Sequence, residues 1–423
     1  MTSKGQELKE NEMHKAFKFR LLPTQEQEVL LSKHFGCVRF IYNYFLSEKQ
    51  KHYQENKKTL NFNQCAGSLV AKKKEEGFEW LKEVNSQALV SSLMSLETAY
   101  GNFFKKRARF PKFKSRKGKN SFIVPQHVKV EEKGLVKIPM FKEGIRFVEH
   151  RDLKGKIKSA TVSRTKTGKY YISFLCVVEK PLQFQKTGKN IGIDLGLKDF
   201  IITSEGQRFV NPKYIKQYEK ELKKQQKHFS RKQNGSKRKE KQKIKVAKIY
   251  EKITNSRNDM QHKVSLKLIQ NYDLIVIEDL NVKGMVKNHC LARAISDVSW
   301  SSFVTKLKYK AEWYGKTVCV IDRFYPSSKT CSCCGHIKES LDLSERSWTC
   351  SSCNTEHDRD VNAAKNILKR AETIQSSGTD DYRHGAEVRP KRVSKASGGI
   401  GDEVSKKKGR KYTLKPFEPF TKQ

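Results

Sequence analysis

The chain has 423 residues, enough for two or three domains; 36% are hydrophobic and 31% charged. Its 87 Lys and Arg against 45 Asp and Glu leave a net charge of +42, a self-repulsion that a bound polyanion would relieve. No stretch approaches the ~20 apolar residues of a membrane-spanning helix. The first ten residues are polar and unlike a signal peptide. Without an amphipathic anchor or lipidation signal, nucleic acid is a better reading of the polyanion than a membrane surface.

In chain order, residues 13–22 alternate as a strand, and Pro23 and Thr24 open a helix in which Thr24 and Gln27 fit a capping box. Helical spacing continues through Val29, Leu30, Phe35, Val38, Ile41 and Phe45. A second helix is predicted from about residue 86 to 104, with Leu89, Leu93, Leu96 and Tyr100 on one face. Residues 24–104 therefore read as a small helical domain. Residues 105–119 hold nine Lys or Arg and no acid. Phe110 and Phe113 among these cations fit stacking plus phosphate contact as well as they fit an exposed basic loop. The candidate contacts are Lys105, Lys106, Arg107, Arg109, Lys112, Lys114, Arg116 and Lys117. Short β-like runs follow at 122–124, 135–138, 157–162 and 170–178, so 13–23 and 105–185 read as one β-rich unit interrupted by the helices. From 186 the pattern becomes α/β, with strands at 190–194, 200–203, 274–278 and 317–321. Residues 213–270 read as one long polar helical arm, with twelve Lys or Arg against Glu240 between 223 and 248. The segment 373–423, rich in Ser, Gly and Lys, reads as a disordered basic tail.

Of the ten cysteines, Cys37, Cys65, Cys176, Cys290 and Cys319 stand alone, while Cys331, Cys333, Cys334, Cys350 and Cys353 crowd together. Cys331 and Cys334 form one C-x2-C pair, and Cys350 and Cys353 form another. That is the spacing of a tetrahedral four-cysteine zinc ribbon, each pair on a tight turn. Cys333 is an alternative to Cys334, although Gly335 supplies the knuckle turn that favours Cys334. A closed four-sulfur site has no open coordination position, so the zinc is expected to be structural.

Three acids fit a different chemistry. Asp194 ends the apolar strand IGID, Glu278 ends LIVIE, and Asp360 stands at the N-cap of a helix reading DVNAAKNILK. Singly, such residues are turn formers or caps. Together, in the order strand-Asp, strand-Glu, helix-Asp, they fit the convergent carboxylates of two-metal phosphodiester cleavage, with magnesium the hard cation that oxygen ligands suit. Asp199, Asp279, Asp322 and Asp358 are nearby decoys, and Asp279 would face away from Glu278 on an extended strand.

These blocks resemble the TnpB family of RNA-guided DNA endonucleases, which accompany small bacterial insertion sequences and are akin to the type V CRISPR effectors. The likeness runs from residue 13 to about 370, through FRLLPTQEQ, GCVRFIYNYFL, RFPKFKSRKGKNSF, IGIDLGLKDF, LIVIEDLNVKGM, YPSSKTCSCCG and WTCSSCNTEHDRDVNAAKNIL. The resemblance implies a multidomain α/β fold. An N-terminal tail (1–12) would precede a β-barrel-like wedge domain (13–23 and 105–185) and a helical recognition domain (24–104). A ribonuclease-H-like, or RuvC, nuclease core (186–325 and 355–372) would carry an inserted zinc ribbon (326–354). It also implies a catalytic triad of Asp194, Glu278 and Asp360 on two Mg2+ ions (or Mn2+), and structural Zn2+ on Cys331, Cys334, Cys350 and Cys353. The implied partners are a guide RNA from the element's end and target DNA beside a short flanking motif, cut by a monomeric RNA complex in the bacterial cytoplasm at the nucleoid.

Where the family commonly has a polar residue this chain has Cys333, which keeps the ligand choice open. Arg257, Asn258 and His262 lie on the helix before the Glu278 strand, and Arg257 and His262 fall near matched family positions as nucleic-acid contacts. Arg359 is read either as a phosphate contact or as the partner of Asp358. Two alternatives use the same fold. A transposase would join element ends with the same acids but would want a helix-turn-helix or other end-binding domain, which the sequence does not display. A repressor would bind under RNA guidance without cutting, but such relatives lose catalytic acids, and all three are present here.

Overall fold

A computed structural model describes residues 11–376, apart from Lys133 and Leu343. The tail expected at 373–423 lies outside the described residues beyond 376. Up to that point the chain is still helical.

Strand β1 (Glu12–Leu22) buries Phe17, Phe19 and Leu21 and turns Lys18 and Arg20 outward, the period-2 pattern that makes it a strand. Helices α1 (Gln25–Asn56), α2 (Phe62–Lys72) and α3 (Ser86–Phe104) follow. Thr24 caps α1 with the reciprocal Gln27 bond of a capping box. Val29, expected on the inner face of α1, is instead 56% exposed. After the helices come β2 (Asn120–Val124), β3 (Lys129–Glu131), β4 (Leu135–Ile138), β5 (Phe141–Val148), β6 (Lys156–Arg164) and β7 (Tyr170–Glu179). With β1 they form a seven-stranded antiparallel sheet in the order β2-β6-β7-β1-β5-β4-β3.

One hydrophobic core serves both sheet and helices. Phe19 packs against Phe147 and Phe174 at 5.2 and 5.8 Å between ring centroids. The His34 ring of α1 stacks on Phe122 of β2 at 4.8 Å. Three of the solitary cysteines, Cys37, Cys65 and Cys176, lie in this core, where burial pushes the Cys37 thiol up to about 12.

The second sheet holds β8 (Asn190–Asp194), β9 (Asp199–Thr203), β10 (Arg208–Val210), β11 (Leu274–Glu278) and β12 (Thr317–Ile321), in the order β10-β9-β8-β11-β12. β8, β11 and β12 run parallel, and β9 is antiparallel to β8 and β10, the strand order and directions of a ribonuclease-H-like core. β11 is apolar on both sides because both faces are covered. Ile275 and Ile277 pack with helices α6 (Lys237–Asn271) and α9 (Trp300–Tyr314). Leu274 and Val276 pack with Ile367 and Ala371 of α10 (Arg359–Ser376). Ahead of α6 come α4 (Tyr214–Gln217) and α5 (Glu219–Ser230). The expected single arm is therefore a helical hairpin: the chain turns between 231 and 236, and α5 packs back on α6 through Leu222, Ile249 and Ile253. Short helices α7 (Val282–Met285) and α8 (His289–Val298) connect β11 to α9.

Candidate active site and zinc ribbon

Asp194 and Glu278 end adjacent parallel strands. Ile193 is in register with Ile277, so the two acids stand side by side one residue further on, with backbones about 4.8 Å apart. Because Ile193 and Ile277 enter the core under α6 and α9, alternation turns Gly192, Asp194, Val276 and Glu278 to the face that α10 covers. Both carboxyls are pushed up to about 7. For Asp194 burial is the main cause and the charge of Asp360 adds to it, against a pull from Arg359; for Glu278 burial is followed by the charges of Asp194 and Asp279.

Gly192 sets the height of α10 over this face. A Cβ there would collide with the Ala364 carbonyl oxygen and come within 2.8 Å of the Leu368 amide nitrogen, so only glycine lets the helix backbone rest on the strand. Asp360 lies in the first turn of α10, above Asp194. It is not the N-cap, as the sequence suggested. Asp358 holds that place: its Oδ1 accepts from the amides of Asp360 (3.2 Å) and Val361 (3.0 Å), which leaves the Asp360 carboxylate outside the capping bonds. Arg346 Nη1 approaches Asp360 Oδ2 at 3.6 Å.

The decoys are occupied. Arg208 bridges Asp199 (3.0 Å) and Asp358 (2.8 Å), Arg323 takes Asp279 (2.5 Å), and Arg370 takes Asp322 (3.3 Å). Among the described residues only the four ribbon cysteines bring three or more metal-ligating atoms all within 4.8 Å of one another. The carboxylates of Asp194, Glu278 and Asp360 are spread more widely.

Cys331, Cys334, Cys350 and Cys353 form that cluster, and Cys333 is exposed outside it. The Cys331–Cys353 and Cys334–Cys350 sulfurs are each 3.6 Å apart. A tetrahedron with zinc–sulfur bonds near 2.3 Å has edges of roughly 3.8 Å, so the donor set fits zinc. Gly335 takes φ +81° and its amide donates to the Cys331 carbonyl (2.9 Å), the knuckle expected of it; Asn354 makes the matching bond to Cys350 (2.9 Å). The ribbon hairpin, β13 (Ser347–Thr349) and β14 (Glu356–Asp358), pairs Trp348 with His357. His357 Nε2 lies 3.0 Å from Cys331 Sγ, a contact the cysteine spacing did not reveal.

Two further residues escaped the sequence reading. Asn362 and Asn366 are one turn apart on α10 and almost wholly buried. Asn362 donates to the Thr330 carbonyl (2.7 Å) and accepts from the Ser332 amide (2.9 Å). Asn366 donates to the Ser327 (2.8 Å) and Thr330 (2.5 Å) carbonyls. They fasten the chain entering the first zinc knuckle to the helix that carries Asp360. The available signal was a pair of asparagines at i and i+4 flanking Ala363 and Ala364 on an inward face.

Several nucleic-acid candidates make bonds within the fold. Arg257 donates to Asp297 (2.8 Å) and Ser299 (3.2 Å), and Asn258 accepts from Lys306 (3.2 Å). His262 lies 3.5 Å from the Tyr309 hydroxyl, and burial lowers its pKa. Arg359 does not pair with Asp358. It donates to the Asp342 carbonyl (3.0 Å) and the Glu345 carbonyl (3.5 Å), tying α10 to the ribbon. The loop with Lys105, Lys106, Arg107, Arg109, Lys112, Lys114, Arg116 and Lys117 is exposed. Lys114 is anchored in it by paired bonds with Asn43 (2.7 and 2.9 Å) and lies over the Tyr42 ring at 3.6 Å. Phe110 packs at right angles to Tyr100 and Phe103, and Phe104 is the more exposed ring at 69%.

Comparison with known proteins completes the picture. Residues 173–289, which hold Asp194 and Glu278, match the family described as "Probable transposase". Residues 300–367, which hold the cysteines and Asp360, match the Cas12f1-like TNB domain. Residues 13–58 match a profile described as a helix-turn-helix domain, although here that segment is β1 and one uninterrupted helix of 32 residues. A Streptomyces pristinaespiralis protein named "Putative RNA-guided DNA endonuclease" is 37% identical over 393 residues, 92% of this chain and 95% of the relative. An Escherichia coli K12 protein of the same name, InsQ, is 33% identical over 379 residues, 86% and 94% of the two chains. The solved Cas12f1–sgRNA–target DNA complex overlaps 85% of this chain and 99% of its own at 13% identity and a TM-score of 0.47. With one-third or more of its residues shared over nearly the full length of such relatives, and with two strand-end acids and a four-cysteine ribbon in the matched segments, the chain belongs to the TnpB family.

Proposed function

We propose that this protein is an RNA-guided DNA endonuclease that cleaves target duplex beside a short flanking motif, using Asp194, Glu278 and Asp360 to hold two magnesium ions. The observation that carries the reading is the pairing of Asp194 and Glu278 at the ends of adjacent parallel strands, both pushed up to about 7 by burial and by the charges of neighbouring acids. Crowded, half-buried carboxyls of this kind are a standing demand for divalent cations. Bound there, the cations would supply charge neutralisation for the attacking and leaving oxygens. The chain's own part is to fix the carboxylates: two on the rigid sheet, the third on a helix seated on Gly192 and fastened to the ribbon by Asn362 and Asn366. The ribbon's zinc, closed by four sulfurs, would serve only that scaffold. The excess of cations supports a nucleic-acid partner, and the named relatives support RNA as guide and DNA as target.

The test is to purify the full chain with its bound RNA, sequence that RNA, and offer duplex DNA matching its variable end. A single structured RNA species and magnesium-dependent cutting are expected. Asp194→Ala should abolish cutting and keep the RNA. Cutting at the normal rate by Asp194→Ala would overturn the assignment, and joined element ends would favour a transposase.

A further inference from the structure

Phe324 presents its ring to solvent, 91% exposed, three residues past the last β12 position shown to pair with the Glu278 strand. This exposure is built into the fold. Ile321 is in register with Glu278, so β12 ends beside the candidate site, on the carboxyl edge of the parallel strands where ligands of open α/β sheets bind. The next residues are fastened rather than loose. Arg323 donates through Nε to the Asp279 carbonyl (3.1 Å) and through Nη2 to the Asp279 carboxylate (2.5 Å). The Tyr325 amide donates to the Asp322 carbonyl (3.3 Å), and Tyr325 packs inward on the cluster shared by β11, β12 and α10. With Arg323 clamped on one side and the half-buried Tyr325 packed inward on the other, Phe324 turns outward. Three residues span at most about 11 Å and neighbouring strands lie about 4.8 Å apart, so its backbone is within roughly 16 Å of Glu278, a few nucleotides along a strand.

An apolar ring held out in water beside a cluster of acids has no partner within the described chain. The face of a nucleobase is the partner that suits it, since stacking asks for a flat surface and tolerates any base. We infer that Phe324 stacks on an unpaired base of the DNA strand entering the candidate active site and so sets which phosphate lies over the acids. The inference rests on the nuclease reading above and adds a positioning residue to it.

The test uses the full chain with its co-purified RNA and target strands carrying 2-aminopurine at successive positions around the cut. An Asp194→Ala background, which keeps the strand intact, reports the stacking, and the otherwise unmodified chain reports cutting. Quenching is expected at one position near the cut. It should be lost in Phe324→Ala and Phe324→Leu and kept in Phe324→Trp. Without Asp194→Ala, Phe324→Ala and Phe324→Leu should each cut about tenfold or more slowly at subsaturating DNA and spread the cut over neighbouring phosphates, with thermal unfolding unchanged. Equal quenching in Phe324→Ala and the parent, or wild-type cutting at an undisturbed position in Phe324→Leu, would overturn the inference. Failure of the parent reading looks different: the chain with Phe324 intact would cut nothing, or Asp194→Ala would cut as well as it does.

Discussion

At the scale of single residues, what sets Asp194 and Glu278 apart from their neighbours is that burial dominates their charge state, with a weaker opposing pull from Arg359 on Asp194. Asp199, Asp279, Asp322 and Asp358 all have arginine partners, whereas burial and the charges of neighbouring acids push the two strand-end acids up to about 7. A carboxyl raised above its unfolded value favours the protonated folded form. The stability it contributes is full below the ordinary carboxylate range and is lost as pH climbs from about 4 through 7. Metal-free protein should therefore melt at lower temperature at pH 8 than at pH 5. Asp194→Asn or Glu278→Gln should recover about 2–4 °C at pH 8, as should millimolar magnesium added to the wild type. Differential scanning fluorimetry in chelator decides it; a melting temperature that rises across that window would mean the acids are not held as described.

At the scale of elements, β4, β8, β11, β12 and α3 were legible to the residue because each is either a short apolar run or a clean helical stripe. β5 was not, since FKEGIRFV breaks its alternation at Gly144, which takes φ +73°. α9 was hidden by lysines that turn inward. Lys306 donates to Asn258, Gln261 and Ser302, and Lys310 to Ser265 and the His262 carbonyl, so charges that read as surface are the seam with α6. The hairpin of α5 and α6 did carry a sign, Asn234-Gly235, a turn dipeptide inside what otherwise reads as one helix. Of the candidate site, the acids and cysteines could be named from spacing, while the cap at Asp358 and the Asn362–Asn366 clamp depended on tertiary partners. The seat of α10 gives a direct expectation. Gly192→Ala should lift the helix and with it Asp360, lowering single-turnover cleavage by about a hundredfold or more, with one zinc per chain retained. Wild-type cutting by that variant would show that α10 tolerates a different height.

At the scale of the whole molecule, the charge of +42 is displayed on the loop of 105–119 and on the α5–α6 hairpin, which supply exposed cations but few acids. If these track a phosphate backbone, RNA affinity should fall about 10³- to 10⁵-fold between 50 and 200 mM salt, the response to some six to ten phosphate contacts. A flat response in filter binding would mean the cations serve something else. The same scale relates the two proposed metal sites. Asn362 and Asn366 bond the strap entering the first zinc knuckle to the helix of Asp360, and losing both side chains would orphan the Ser327 and Thr330 carbonyls at about 1–3 kcal/mol apiece. Cys350→Ser should accordingly lower zinc content and cleavage together; full zinc and full activity in that variant would remove Cys350 from the ligand set. A practical consequence concerns sequestering agents in the assay buffer. One that strips the ribbon would act as a slow poison of catalysis without ever visiting the carboxylates, and refilling with magnesium alone would not revive the enzyme.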